Sequence, residues 1–268
     1  MQNIELEYPG YIFRKQFDDE IIKSKKAIVE NPADVVSLTN LAHAYINLWC
    51  YGFIPHSEAI PNATDAALKA LEIDNKSALA HVALGLIKES LWEWGEIENE
   101  LKLSIELSPY DALAYNWYAN YLYATSRFDE AYVMANMAIK FSDDPGYKIG
   151  LGAISYFRQD FERLKKEMLD LIAYYPNYAP AYDWLGMAYI QLQEFDNSIE
   201  AYEKATSLSG GLAEILGGLG HAYGIAGNEK EAKRVLNKMN DYSQKFYIPP
   251  VQIAFVYAGL NDVDNTLR

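Results

Sequence analysis

Trp117-Tyr118-Ala119-Asn120-Tyr121-Leu122-Tyr123-Ala124, followed by Phe128, Ala131 and Ala138, is the stretch from which the whole chain can be read. Tyr118, Ala119 and Leu122 share one face at helical spacing, and Ala131 and Ala138 lie two turns apart on a second helix. Two helices approach to about 8–10 Å where small side chains meet. The pattern therefore predicts a helical hairpin, with Ala119 facing Ala131 and Ala138.

The same spacing returns on both sides. Segments of the type Ala27-Ile28-Val29-Glu30-Asn31-Pro32 and Ser104-Ile105-Glu106-Leu107-Ser108-Pro109 close at residues 32, 75, 109, 143, 176 and 210, in steps of 43, 34, 34, 33 and 34. A period in that range signals a solenoid. The units run at about 11–32 (partial), 33–75 (with an insert), 76–109, 110–143, 144–176, 177–210, 211–244 and 245–268 (partial), one array over 1–268. Each apolar face is buried only by stacking on the next unit.

Departures from the period carry expectations. Pro9-Gly10 falls inside the would-be first helix of the first unit, which leaves only its second helix, Asp18 to Glu30, as secure. The 33–75 unit holds about nine residues beyond the roughly 34-residue period. They fall within 49–62, Trp49 to Asn62, and are expected as a longer first helix plus a packed apolar loop, or as a docking surface. The 144–176 unit sets bulky Leu164 and Leu171 against Gly146, Gly150, Gly152 and Ala153. Glycine inside a helix costs about 1 kcal/mol relative to Ala, so this unit is expected to be the softest, a hinge.

On these residues the chain resembles the tetratricopeptide repeat family. The resemblance is carried by Leu41-Ala42, Tyr45, Ala63 and Ala70, then Leu84-Gly85, Ile97, Ser104 and Pro109, then Tyr118-Ala119, Leu122, Ala131 and Ala138. It continues through Gly152-Ala153, Tyr156 and Pro176, through Leu185-Gly186, Tyr189, Ser198 and Ala205, and through Leu219-Gly220, Tyr223 and Ala232. It implies an all-α, right-handed α-α superhelix of stacked helix-turn-helix units. More narrowly, the insert after Tyr45, Leu91-Trp92-Glu93-Trp94, the Asn116-Trp117-Tyr118 helix and Tyr257-Ala258-Gly259-Leu260-Asn261-Asp262 together resemble arrays that lie C-terminal to bacterial signalling domains. Those domains are winged-helix regulators, class III cyclases or Ser/Thr kinases. The chain stops at Thr266-Leu267-Arg268, where a second helix should start. The expectation is a fragment of such a protein, or an end covered by another domain or by a second copy.

Composition narrows the class. Half of the 268 residues are apolar and 14% aromatic, too many for a disordered chain. A net charge of −14 opposes binding to nucleic acid or anionic membrane. The lone Cys50 makes no intramolecular disulfide, the start shows no signal peptide, and no apolar run reaches the roughly 18–20 residues of a membrane span. A cytoplasmic setting follows as an expectation.

Motifs for chemistry are absent. Gly150-Leu151-Gly152 and Gly218-Leu219-Gly220 lack the strand and the Gly-Lys-Ser/Thr of a phosphate loop. His43, His56, His81 and His221 show no ligand spacing with one another. No catalytic residue, metal or cofactor is expected, and the chain is read as a non-enzyme.

The resemblance implies an inner wall built from first helices. Candidate partner-binding residues on it are His43, Asn116, Asn120, Tyr123, Tyr147, Asp183 and His221. The family's clamp for a C-terminal carboxylate needs Lys and Arg, which this face lacks. An extended peptide held by Asn amides and aromatic rings fits better. The expected function is protein–protein interaction with a peptide or partner domain. The alternative is self-association through the C-terminal end.

Overall fold

A computed structural model describes residues 10–267. Among them the chain is all-α, with fifteen helices and no strand. The first is α1 (Tyr11–Glu30). Helical pairs follow: α2 (Val35–Cys50) and α3 (His56–Ile73), α4 (Ala78–Ser90) and α5 (Trp94–Leu107), α6 (Ala112–Ala124) and α7 (Phe128–Phe141). Next come α8 (Pro145–Phe157) and α9 (Phe161–Tyr174), α10 (Ala179–Gln191) and α11 (Phe195–Ser209), α12 (Ala213–Ile225) and α13 (Glu229–Ser243). The last are α14 (Pro250–Gly259) and the single turn α15 (Val263–Thr266).

The helices form two compact units. The first comprises Arg14–Cys50 and Ile54–Ile154. Its hairpins α2–α3, α4–α5 and α6–α7 each close on themselves, and each packs on the next through α3 on α4 and α5 on α6. First helices also touch in series, α2 on α4 and α4 on α6. Small residues make these approaches possible: Ala42, Ala63, Ala70, Ala83, Ala119, Ala131 and Ala138 are wholly buried. Between them Ile87, Ile97, Leu101 and Leu122 fill the gaps. Burying one such side chain contributes about 1.5–3 kcal/mol.

Glu98 of α5 ties one hairpin to the next. Its carboxylate accepts from Tyr118 Oη at 2.8 Å and from Arg127 Nη1 at 2.8 Å, and it stands 2.8 Å from Lys102 Nζ. Lys102 first, and then Arg127, hold the Glu98 carboxyl down at about 2.

The second unit comprises residues 155–267 together with residues 10–13 and Tyr51–Phe53. Helix α9 packs on α10, α10 on α11, α11 on α12 and α12 on α13, while α12 also meets α14. Leu164, Met168 and Leu171 of α9 are buried, so the bulky residues of this repeat do reach the core. The two-unit division falls at Ile154/Ser155, inside the glycine-rich α8. Residues from the start of the chain and from the insert join this unit. Gly10 N donates to Gly210 O at 3.3 Å, the rings of Phe13, Tyr51 and Phe53 stack in sequence, and Gly52 lies against Pro249.

One backbone device repeats along the chain. Trp92, Ser126, Gln159, Gln193, Gly227 and Asn261 all adopt positive φ, between 57° and 80°. Each ends the first helix of a pair. In each case the next amide reaches back to the carbonyl five residues earlier: Glu93 to Lys88, Arg127 to Leu122, Asp160 to Ser155, Glu194 to Tyr189, Asn228 to Tyr223 and Asp262 to Tyr257. This left-handed cap satisfies carbonyls that the helix end leaves open. Only Gly227 is a glycine, so the turns were not legible as glycine caps.

Two expectations are corrected. Helix α1 begins at Tyr11, seven residues before Asp18, because Gly10, at φ +71°, completes the turn before the helix instead of interrupting it. Pro9 lies outside the described residues. The 49–62 insert forms little loop. Helix α2 runs on to Cys50 and α3 starts at His56, so the extra residues mostly lengthen two helices and leave residues 51–55 between them. Phe53, Ile54, Ala59 and Ile60 are buried, which is the packed reading of that segment.

Candidate partner-binding face

The first helices present residues that the stacking does not consume. On α6 the core side is Tyr115, Tyr118, Ala119 and Leu122, all buried. Asn116, Asn120 and Tyr123 follow one another at i, i+4 and i+7 on another side and are half-buried. A Cβ on Gly150 of α8 would stand 3.4 Å from Asn116 Oδ1, so a small residue on the next first helix leaves room for this amide. Neither Asn116 nor Asn120 hydrogen-bonds through its side chain to another described residue.

Tyr123 is flanked by Glu89 of α4. Burial, then the Glu89 charge, pushes its hydroxyl up to about 12, and burial raises the Glu89 carboxyl as well. Tyr147 packs against the cluster of Ala112, Tyr115 and Ala138, and burial again raises its hydroxyl, followed by Asp144 and Asp111. These four residues and Glu89 all lie in the first unit. Side-chain amides can accept and donate to an extended backbone, and tyrosine offers an apolar ring with a polar tip.

His43 and His221, expected at the same repeat position, do the same structural job. His43 Nε2 donates to Leu79 O at 2.9 Å, and His221 Nδ1 donates to Phe255 O at 3.1 Å. Each thus spans from one first helix to the next. The His221 ring also lies flat on Phe255, with centroids 4.1 Å apart. Burial lowers both imidazole pKa values, His43 and His221 alike, against the opposing pull of the carbonyl. They are neutral pins at neutral pH.

Asp183 of α10, in the second unit, is only 8% exposed. Burial, then the charge of Glu214 on α12, raises its carboxyl well above the ordinary carboxylate range. Glu214 is exposed, and desolvation by the protein around it still raises its carboxyl. Tyr202 of the second helix α11 enters between Gly186 of α10 and Gly218 of α12. Its ring passes so close that a Cβ on Gly186 would lie 2.6 Å from Cε2, and one on Gly218 would lie 2.3 Å from Cε1 and 2.8 Å from the hydroxyl. Sequence reasoning missed Tyr202; the available signal was a glycine on each of the two first helices that flank it. The described residues contain no cluster of three or more His, Cys, Asp or Glu able to hold a metal ion. No described helix is long and apolar enough to cross a membrane.

Stacked two-helix units with small residues at the crossings define an α-α solenoid. Residues 179–211 match the model of the tetratricopeptide repeat. It is 24% identical over 190 residues to Tetratricopeptide repeat protein 6 of Homo sapiens, which covers 71% of this chain and 35% of that protein. The chain thus spans about a third of that relative's length. Among solved structures it is similar to Cut9–Hcn1 of the APC/C hetero-tetramer, with a TM-score of 0.68, 15% identity, and coverage of 95% of this chain and 49% of that one. A tetratricopeptide repeat protein from Parabacteroides merdae gives 0.63 at 14% identity, over 94% and 96%. PilW, a type IV pilus biogenesis factor, gives 0.62 at 17% identity, over 84% and 98%. At these identities the likeness is one of fold.

Proposed function

We propose that the chain is a non-catalytic interaction module that holds an extended protein segment along its first helices. The observation that supports it most is the pair Asn116 and Asn120. Two half-buried amides stand in register on one helix face with no side-chain hydrogen bond to another described residue, on the helix of Tyr123. Stacking does not require them, and a half-buried polar group without a partner is satisfied when a ligand supplies one. The setting we propose is the regulatory part of a bacterial signalling protein, in the cytoplasm. The support is the motif resemblance above and a surface of net charge −14, unsuited to nucleic acid.

The test is capture of peptides from an immobilised random-sequence array by the whole chain. Asn120→Ala combined with Asn116→Ala should lower affinity for bound peptides about tenfold or more, the loss of two hydrogen bonds at roughly 1 kcal/mol each. Unchanged affinity, with helicity intact by circular dichroism, would move the site off this face.

A further inference from the structure

Asp183, Glu214 and Tyr202 form a second polar feature, independent of the asparagines. Asp183 sits one turn into α10 and Glu214 in the first turn of α12, and these helices pack on each other. Asp183 is more than nine-tenths buried and hydrogen-bonds to no described residue through its side chain. No hydrogen bond joins it to Glu214, and the hydroxyl of Tyr202, a residue 1% exposed, makes none to a described residue. The charged and titratable groups that act on this trio are its own members and Tyr156, and no cationic side chain is among them.

A buried carboxylate such as Asp183, facing a like charge and no cation, is costly to a fold, since burial and like charge both oppose ionisation. A hydrophobic pair would remove that cost. The cost is offset when a ligand brings the positive charge. An ammonium group carries three donors, and a carboxylate, a second carboxylate and a phenol oxygen are three acceptors. The net charge of −14 also draws basic segments in.

We propose that Asp183 and Glu214, on the two first helices that flank the Tyr202 ring, form a socket for one cationic side chain, lysine before arginine, of the bound segment. This rests on the peptide-binding reading above and names the chemistry of one of its contacts.

The experiment uses the same peptide array with the whole chain. Each binder is resynthesised with every Lys replaced by norleucine and every Arg by citrulline. Affinities are then measured against wild type and against Asp183→Asn with Glu214→Gln. The expected result is one Lys or Arg whose neutral twin binds wild type about thirtyfold more weakly, the loss expected when one partner of a buried charge pair is removed. The same twin and its parent should bind the double variant alike, which is the coupling that a double-mutant cycle isolates. Affinity for the parent peptide should also fall as pH drops through the raised carboxylate range, and the double variant should lose that dependence.

Neutral twins that bind wild type as tightly as their parents overturn the socket and leave the asparagine groove standing. If no peptide binds, both readings fall. If calcium or magnesium chloride displaces the peptide through these carboxylates, the site is a metal site and the socket is overturned. Thermal melts of the double variant separate lost binding from lost folding.

Discussion

The hydroxyl of Tyr202 lies where a methyl on Gly218 would come within 2.8 Å, and its Cε1 would be nearer still, at 2.3 Å. A ring from a second helix thus occupies space that a first helix vacates. Gly218→Ala removes that vacancy. Overpacking costs about 1–3 kcal/mol, while Ala gains about 1 kcal/mol in helix propensity. The net expectation is a loss of up to about 2 kcal/mol in chemical denaturation. Gly95→Ala, where an added Cβ meets nothing within 4 Å, is the control and should not destabilise.

Glu98→Gln should weaken the tie between successive hairpins. The Glu98 carboxylate serves Tyr118, Arg127 and Lys102 from a partly solvated position. With solvent screening taken into account, the loss at neutral pH is about 1 kcal/mol. Its folded pKa is depressed to about 2, with the Lys102 contact the leading cause. Its stabilisation is therefore present above the ordinary Glu pKa of about 4.3 and disappears as pH falls towards 2. Urea melts of wild type and variant should converge across that window.

Gln193→Gly should stabilise the chain. Gln193 is exposed and held at φ +62° by the repeat's left-handed cap. Glycine adopts that conformation freely, whereas another L residue there is strained. The expected gain is about 0.5–1 kcal/mol, read as a rise in denaturation midpoint with an unchanged slope. A loss would mean that the Gln193 side chain makes a contact that outweighs the strain.

Asp183→Asn should also stabilise the chain at neutral pH, by about 1 kcal/mol. The folded pKa of Asp183 is raised, by burial first and by Glu214 second. The native state therefore binds the proton more tightly than the unfolded one. Wild-type stability is full below the ordinary Asp pKa of about 3.9 and falls as pH rises through the folded value. The variant lacks that fall, so its advantage should open above about pH 4. Equal stability at all pH values would show that the carboxyl is hydrated or paired in solution.

The sequence by itself determined the repeat. Tyr118, Ala119, Leu122, Ala131 and Ala138 are dictated by local packing between consecutive helices, and local packing recurs every 34 residues as a visible period. Asn116, Asn120 and Tyr123 were legible for the complementary reason, being polar or amphipathic residues on a face that stacking leaves over. What only the tertiary structure decided depends on neighbours one repeat away. His43 and His221 look like groove residues in one dimension, but each is tied to a carbonyl in the next first helix. The left-handed caps at Trp92, Ser126, Gln159 and Gln193 leave no glycine to read. Asp183 and Glu214, on different helices, become a pair only when α10 and α12 meet, and Tyr202 joins them because Gly186 and Gly218 leave its ring a path. Period reports contacts of fixed separation, whereas a burial that joins three helices has no period to report.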